Sequence, residues 1–485
     1  MEKTPETILW YDLETFGLNT RYDRIAQFAA QRTDLDLHPV GSPVVLYGKI
    51  SDDYLPDPLS CMVTGITPQE TEAKGLCEYE LIKQVNALFS VPNTTVAGFN
   101  NIRFDDEMIR SCLYRNFFDP YEREWKNGCS RWDIIDMVRA CHDLRPEGIN
   151  WPARNSDTGM PIVKLTSLTE ANHIDQTGAH DAMVDVYATI EVARLIKEQQ
   201  PRLYAWAWKY RNKNLLKNLV RTPFGTPVLL TSALFTNPNG YSAMVVPITP
   251  AKDVGNTFIC FDLMQDPMPL LAAKNPQELM QVPGICTIAV NRCPFVTPIS
   301  HSFPDEGTYK RLGIDRDKCR ETYRLLREHA ELIPMLRDAK AAEQYDDVKD
   351  TDFEIYSGGF FNDSDKMQFQ AIHHTAPSQK LALGIHFQDQ RVPEMLMRHV
   401  ARNWPEVLTE DQARKWKSFC ASRILSPPGG VKISWEFYQR KIKENMASTD
   451  IAPEVKRDVL EPLEAWGKRL SDKLFGPKAD VGPAT

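Results

Sequence analysis

The hydrophobic pattern changes character twice along the chain. From residue 7 to about residue 200, short apolar runs alternate with helical stripes. The run TILWYDLE is apolar up to its acids and stops at Gly17, as a buried strand does. RIAQFAAQ, PVVLYGKI and NTTVAGFN read as three further strands, and CEYELIKQVNALF, DDEMIRSCLYRNF, SRWDIIDMVRACHDL and DAMVDVYATIEVARLIKEQQ as helices, the last stopped by Pro201. This alternation predicts a mixed α/β domain over residues 1–200. TPVLLTSALFTNPNGYSAMVVPITP and NTFICFDL then turn β-rich, with N-P-N-G as a turn signal, so a strand-rich second domain is expected over 201–350. Helical composition returns from about residue 315. A mostly helical third domain is expected over 351–475, opening at the YSGGFFND segment, with a flexible tail at 476–485.

A chain of 485 residues exceeds one ordinary core, which agrees with several domains. Its 42% hydrophobic and 25% charged residues are those of a globular protein. No apolar run is long enough for a signal-peptide core or a bilayer span, so a cytoplasmic protein without a membrane partner is expected. The ten cysteines form no C-x-x-C pair, which favours buried reduced thiols over zinc or disulfides. The net charge of −8 argues against coating nucleic acid by overall electrostatics, yet it leaves room for clustered acids beside a local basic channel.

Three acidic signals stand out. Asp12 and Glu14 lie two apart at a strand end, where side chains two apart share a face and a ligand. Alone, this D-x-E reads more readily as a pair of solvated acids. Asp105 follows the NTTVAGFN strand and a turn, where sites of α/β sheets gather; Asp106 and Glu107 suit the first turn of a helix. Asp185 lies on a small, polar stripe with Ala182 and Thr189 on a helix otherwise apolar nearly all round. His180, about 140° away if the helix reached that far, is better placed on the entering loop.

In order, these segments resemble the exonuclease superfamily with an Asp-Glu-Asp-Asp core plus His. TGITPQE, GFNNIRFDDEM, RNFFDPY, SRWDIIDM, LRPEGINWP, AHDAMVDVYATI, QPRLYAWAWKYRNK, RLGID and IYSGGFFNDSD extend the resemblance to the bacterial exonuclease I family over nearly the whole chain. It implies a ribonuclease-H-like exonuclease domain, then an SH3-like and a helical carboxy-terminal domain. The implied activity is hydrolysis of single-stranded DNA from the 3′ end to nucleoside 5′-monophosphates, processively, in DNA repair and recombination. Asp12, Glu14, Asp105 and Asp185 would hold two Mg²⁺ ions, with Mn²⁺ able to substitute, since hard cations seek oxygen ligands. Glu14 would also lie near the terminal nucleotide, and His180 would take a proton from the attacking water.

Lys164 falls where the family usually has a substrate-contacting arginine; the charge is kept and the bidentate fork is lost. Aromatic and basic residues interleave after Asp105. Most of these rings suit a core, and Tyr121 and Trp125, with Arg110 and Arg139 as phosphate partners, match the family's DNA contacts. The resemblance further implies a monomer that docks the acidic tail of single-stranded DNA-binding protein, with Arg145 and Trp206 as elements of the pocket. A related ribonuclease or proofreading subunit shares the same five residues but is generally a single domain. A non-catalytic copy of the fold should have lost ligands, and here all five positions are filled.

Overall fold

The computed structural model describes residues 4–177, 181–235, 238–252, 255–299, 306–339 and 349–476. Its first sheet is built on β1 (Thr7–Thr15), flanked by β2 (Ile25–Thr33), β3 (Val44–Tyr47), β4 (Thr94–Gly98) and β5 (Ser130–Asp133) in the order β3-β2-β1-β4-β5. β1 pairs antiparallel with β2 and parallel with β4, so both its edges are satisfied and its apolar run is buried at the centre.

Two helical expectations are revised. SRWDIIDMVRACHDL divides into β5 and a helix, Ile135–Leu144. In β5 the side chains alternate: Trp132 packs on Trp10 with ring centroids 6.0 Å apart, and Arg131 reaches Asp106 at 2.8 Å. Four residues are too few for that alternation to be read from sequence. Pro201 ends Ala182–Gln199 but also opens Pro201–Tyr210, at a first-turn position where its missing N–H costs nothing. Tyr204 and Trp208 of this second helix pack edge-on against Trp132 of β5.

The second sheet comprises β6 (Val228–Thr231), β7 (Ser242–Pro250), β8 (Thr257–Asp262), β9 (Ile285–Ala289) and β10 (Phe295–Pro298). It is antiparallel throughout, in the order β10-β6-β7-β8-β9. The helices Glu306–Leu312, Arg316–Arg327 and Leu332–Ala339 follow. The third region is helical, carried by Asp363–His374, Val392–Asn403, Glu410–Leu425, Trp435–Ala447 and Glu461–Phe475. Apart from Gly476, the expected tail lies outside the described residues. No helix among the described residues is long and apolar enough to cross a membrane, and all ten cysteines are unbonded thiols.

The regions share their cores. Phe16, Tyr22, Tyr54 and Cys61 of the first pack in one cluster with Trp416, Cys420, Tyr438 and Leu463 of the third. Beside that cluster runs a buried ion network. Asp53 meets Arg402 at 2.9 Å and Arg423 at 3.1 Å, and Asp352 meets the same two arginines at 3.0 and 2.7 Å. Glu78 meets Arg24 and Arg115, each at 3.1 Å. Burial alone would raise the Asp53 carboxyl, but Arg402, Arg24 and Arg423 together hold it far below the carboxylate range. Breaking such a network strands charges in the interior. Asp53→Ala is therefore expected to lower the unfolding free energy by about 3–5 kcal/mol. Lys473→Ala, which opens an exposed pair with Asp52, should cost less than about 1 kcal/mol. Urea denaturation of both variants beside the parent chain measures the contrast, and equal, small losses would show that the network is dispensable.

Candidate active site

The D-x-E pair sits where β1 leaves the sheet. In the β1–β2 register Asp12 is opposite Ala29 and Glu14 opposite Gln27, and the pairing slips between Glu14 and Thr15, ending the ladder just past the acids. Gln27 does more than face Glu14. Its side-chain oxygen accepts the Ala182 N–H at 3.0 Å, which anchors the start of the Ala182–Gln199 helix beside the strand. Asp181 caps that helix by accepting the Met183 N–H at 2.9 Å. One turn in, Asp185 accepts the Gln176 amide at 2.6 Å, and Gln176 is itself held by the Thr169 hydroxyl.

Asp105 arrives from β4. The chain leaves that strand at Gly98, where an added Cβ would lie 3.0 Å from the Tyr11 carbonyl and 2.9 Å from the Asn101 side chain, so no larger residue fits. The turn that follows is pinned by Asp133 at the end of β5, which accepts the backbone N–H groups of Asn100, Ile102 and Ile135 at 2.8, 3.2 and 3.0 Å. Burial nevertheless pushes the Asp133 carboxyl up to about 6. Asp105 then opens the Asp105–Arg115 helix, 6% exposed.

The outcome is a concentration of acids. Asp12, Glu14 and Asp185 each present an oxygen within 4.8 Å of the other two. Burial, then the charges of Asp105 and Asp185, push the Asp12 carboxyl well above its ordinary range. Burial, then Asp12, Asp185 and Asp181, push Glu14 up to about 9. Burial and Asp106 raise Asp105, with Asp133 and Glu14 adding to the effect. The charges acting on these carboxyls are thus mostly those of other acids. Clustered hard oxygen donors under mutual repulsion fit a divalent cation, which would relieve the repulsion.

Asp106, next in sequence to Asp105, behaves in the opposite way. It is fully buried, accepts the Tyr11 hydroxyl at 2.6 Å, and meets Arg123 and Arg131, each at 2.8 Å. Burial would raise it, but the two arginines keep it ionised well below the usual range. It is therefore a structural acid rather than a first-turn dipole partner. Nothing in the sequence marks Arg123 and Arg131 as its partners.

The remaining candidates have their own local partners. His180 lies outside the described residues. Lys164 is exposed, immediately ahead of the Leu165–Ala171 helix. Arg110 lies 5.2 Å over the Tyr121 ring, and Glu107 and Glu124 accept from its guanidinium at 2.6 and 2.9 Å. Trp125 is 61% exposed. Arg139 bonds Asp136 at 2.7 Å and lies over the Tyr241 ring. Arg145 follows the Ile135–Leu144 helix, and the Trp206 indole donates to the Val296 carbonyl at 3.0 Å while its ring lies tilted against Tyr210. Tyr114, Phe117 and Trp132, from the same aromatic run as Tyr121, are core residues.

Comparisons with known proteins cover the same three regions. Residues 9–193 match the family model described as Exonuclease, 211–342 the Exonuclease I SH3-like domain, and 349–470 the Exonuclease I C-terminal domain. Exodeoxyribonuclease I of Haemophilus influenzae is 42% identical over 431 residues, 85% of this chain and 90% of the relative. The crystal structure of Escherichia coli exonuclease I in complex with a dA16 oligonucleotide superposes with a TM-score of 0.88 at 36% identity, covering 96% of this chain and all of that one. An ExoI/SSB-Ct complex gives a TM-score of 0.88 at 35% identity, with 96% of this chain covered and 100% of the other. With its acids gathered on an exonuclease domain and both accessory domains present, this chain belongs to the exonuclease I family of phosphodiester hydrolases.

Proposed function

We propose that the protein removes nucleotides from the 3′ end of single-stranded DNA, releasing nucleoside 5′-monophosphates, with Asp12, Glu14, Asp105 and Asp185 holding two Mg²⁺ ions. The observation that carries this reading is the convergence of acids from three separate elements, where burial and then the charges of neighbouring acids push Asp12, Glu14 and Asp105 up. When bound, the cations supply an activated nucleophile and draw charge from the phosphate and the leaving oxygen. The chain's own residues do the rest. Glu14 also borders the terminal nucleotide, and Lys164 offers a point charge to its phosphate. His180 takes the proton of the attacking water as the bond from phosphorus to the 3′ oxygen breaks. Tyr121 and Trp125 stack on unpaired bases, and Arg110 and Arg139 turn toward the backbone. For Arg110 this means exchanging Glu107 or Glu124 for phosphate.

In the same reading the functional divisions of the chain fall at 1–200, 201–350 and 351–475, and the matched spans support them. The ExoI/SSB-Ct complex of a relative supports a second partner, the acidic tail of single-stranded DNA-binding protein. In this reading Arg145 and Trp206 are elements of its docking pocket. The protein acts as a cytoplasmic monomer in DNA repair and recombination, with Mn²⁺ able to replace Mg²⁺.

The direct test is digestion of end-labelled single-stranded DNA, duplex DNA and RNA, with and without Mg²⁺. Asp12→Ala, Asp105→Ala or Asp185→Ala should bring hydrolysis close to background while the melting temperature holds or rises. Ready turnover by Asp12→Ala would refute the two-cation assignment. His180→Ala should lose about 10²–10⁴-fold in turnover, with far smaller losses in DNA and metal affinity and partial recovery at higher pH. Failure of that variant to bind Mg²⁺ would make His180 a ligand instead.

Stability should report on the same charges. A carboxyl whose folded value lies above its unfolded value binds more protons when folded, so its contribution is intact below about pH 4 and erodes as pH rises through the folded value. For Glu14 that window runs from 4.5 to about 9. The chelated protein should therefore melt at falling temperature across this range. Glu14→Gln should flatten the fall, with little effect at pH 4, and added Mg²⁺ should lift the melting temperature of the parent at pH 8. A chelated parent as stable at pH 8 as at pH 5 would contradict this account.

A further inference from the structure

Of the ten cysteines, Cys260 and Cys286 are the two that lie in described strands, and the β8–β9 register sets them directly opposite each other. Their side chains share a face of the sheet with the adjacent pair Phe258 and Ile288, in a core that includes Leu216, Val220 and Val245. The Cys286 thiol is in hydrogen-bonding contact with Cys260, and that contact, then burial, pushes it well above its ordinary range. Cys260 also donates to the Phe258 carbonyl of its own strand at 3.6 Å. A buried thiol packs as a small apolar group, which several other residues could supply, so two thiols in register call for a chemical explanation.

The backbone suits a covalent bond between them. The Asp262 N–H donates to the Gly284 carbonyl and the Val290 N–H to the Asn256 carbonyl, each at 2.9 Å. Hydrogen-bonded pairs recur at every second residue of an antiparallel ladder, so Cys260 and Cys286 form one as well. The Cα atoms of such a pair are about 5.5 Å apart, inside the span of about 4.4–6.8 Å that disulfides bridge. The Cβ atoms of facing residues are about 4.5–5.5 Å apart, at the wide end in hydrogen-bonded pairs, and a disulfide draws them to about 3.5–4.5 Å. Closing the bond therefore pulls the strands together and stores strain, which leaves the bond easier to reduce than a relaxed one. β9 is free to take up that movement, because it stands last in the order β10-β6-β7-β8-β9, with β8 as its one neighbour among the described strands.

We propose that Cys260 and Cys286 are a reversible redox site, whose disulfide clamps the edge of the second sheet. The oxidant is a small disulfide such as oxidised glutathione. Fraying of β9 bares Cys286, which is 8% exposed against 0% for Cys260, and its thiolate attacks one sulfur of the small disulfide. One small thiolate leaves. Cys260, as a thiolate, then attacks the Cys286 sulfur, the bond between the two protein sulfurs forms, and the second small thiolate leaves. Each departing thiolate takes up one of the two protons lost by the protein, so two thiols are oxidised while one small disulfide is reduced to two thiols. Burial makes this closure slow and confines it to the frayed strand. The bond joins the ends of an excursion, residues 261–285, that carries the Met268–Ala272 and Pro276–Met280 helices. Leu270, Leu279 and Val282 of the excursion pack in one core with Leu332 and Leu336. The clamp thus restricts the unfolded chain at a point where the sheet edge and that core meet.

The test uses the full-length protein, incubated under native conditions with oxidised glutathione, quenched in acid, unfolded, alkylated and digested for mass spectrometry. A peptide pair linked through Cys260 and Cys286 should appear, and should vanish after dithiothreitol. The oxidised parent should melt a few degrees above the reduced one, and dithiothreitol should reverse the shift. Cys260→Ala and Cys286→Ala should each melt at one temperature with and without oxidised glutathione, whatever their stability relative to the parent. Recovery of both residues as alkylated thiols, or of a Cys286–glutathione adduct beside a free Cys260, would overturn the redox site. A linked peptide without a rise in melting temperature would overturn the clamp, as would an equal rise in either variant, which would trace the shift to other thiols. Mass mapping of the parent decides the site even where a variant folds poorly.

Discussion

Three elements far apart in sequence, β1, the turn after β4 and the Ala182–Gln199 helix, bring carboxyl groups to one place, and the charges that act on those groups are mostly those of the other acids. Holding them together costs free energy that the rest of the molecule must offset. The same chain shows what compensated acids look like. Asp106 and Asp53 are fully buried and stay ionised, because each is met by two or three guanidinium groups. Burial is common to both classes. What separates the clustered acids from the paired ones is the sign of the described neighbours that act on them, and a cluster of like charges is one that a cation can relieve.

Rigidity around the cluster follows from that cost. Repelling carboxylates would spread if their elements could move, so each element is tied close to its acid. Gln27 ties the first turn of the Ala182–Gln199 helix to β2 opposite Glu14, and Asp133 ties the turn ahead of Asp105 to β5. The loop after Glu14 is held from further away. Tyr54 donates to the Phe16 carbonyl at 3.0 Å and to Asp23 at 2.9 Å, and Phe16, Tyr22 and Tyr54 are packed into the core of the helical domain. The third domain is thus a buttress for the strand end that carries Asp12 and Glu14.

The legible part of this arrangement is the part with short periods. D-x-E on an apolar strand, an Asp just after another strand, and an Asp on a small, polar stripe of a helix are each set by spacing within one element, and the structure gathers all three. What stayed hidden depends on partners that spacing does not encode. Asp105 and Asp106 are neighbours with opposite fates, decided by Arg123 and Arg131, which reach back from other segments. Asp53, Asp352, Arg402 and Arg423 look like surface charges in sequence and form a fully buried polar contact between domains. Arg110 reads as a free cation beside aromatic residues, whereas Glu107 and Glu124 already engage it. The strand β5 was absorbed into a helix because four residues leave no room for a period to show.

The buried network also bears on how a strand enters. Lifting the helical domain away would expose the Phe16–Trp416 core and separate Asp53 from Arg402 and Arg423, which are 2% exposed or less. An uncompensated buried charge costs several kcal/mol, so opening along this seam is far from a thermal fluctuation. A path bounded by domains that stay together admits a strand most readily by its end. On that reading the preference for termini arises from the joining of the domains as much as from the acids. Cation-assisted cleavage at the acids would act on any phosphodiester presented to it. On the same reading, the fixed position of the helical domain would determine which phosphodiester that is.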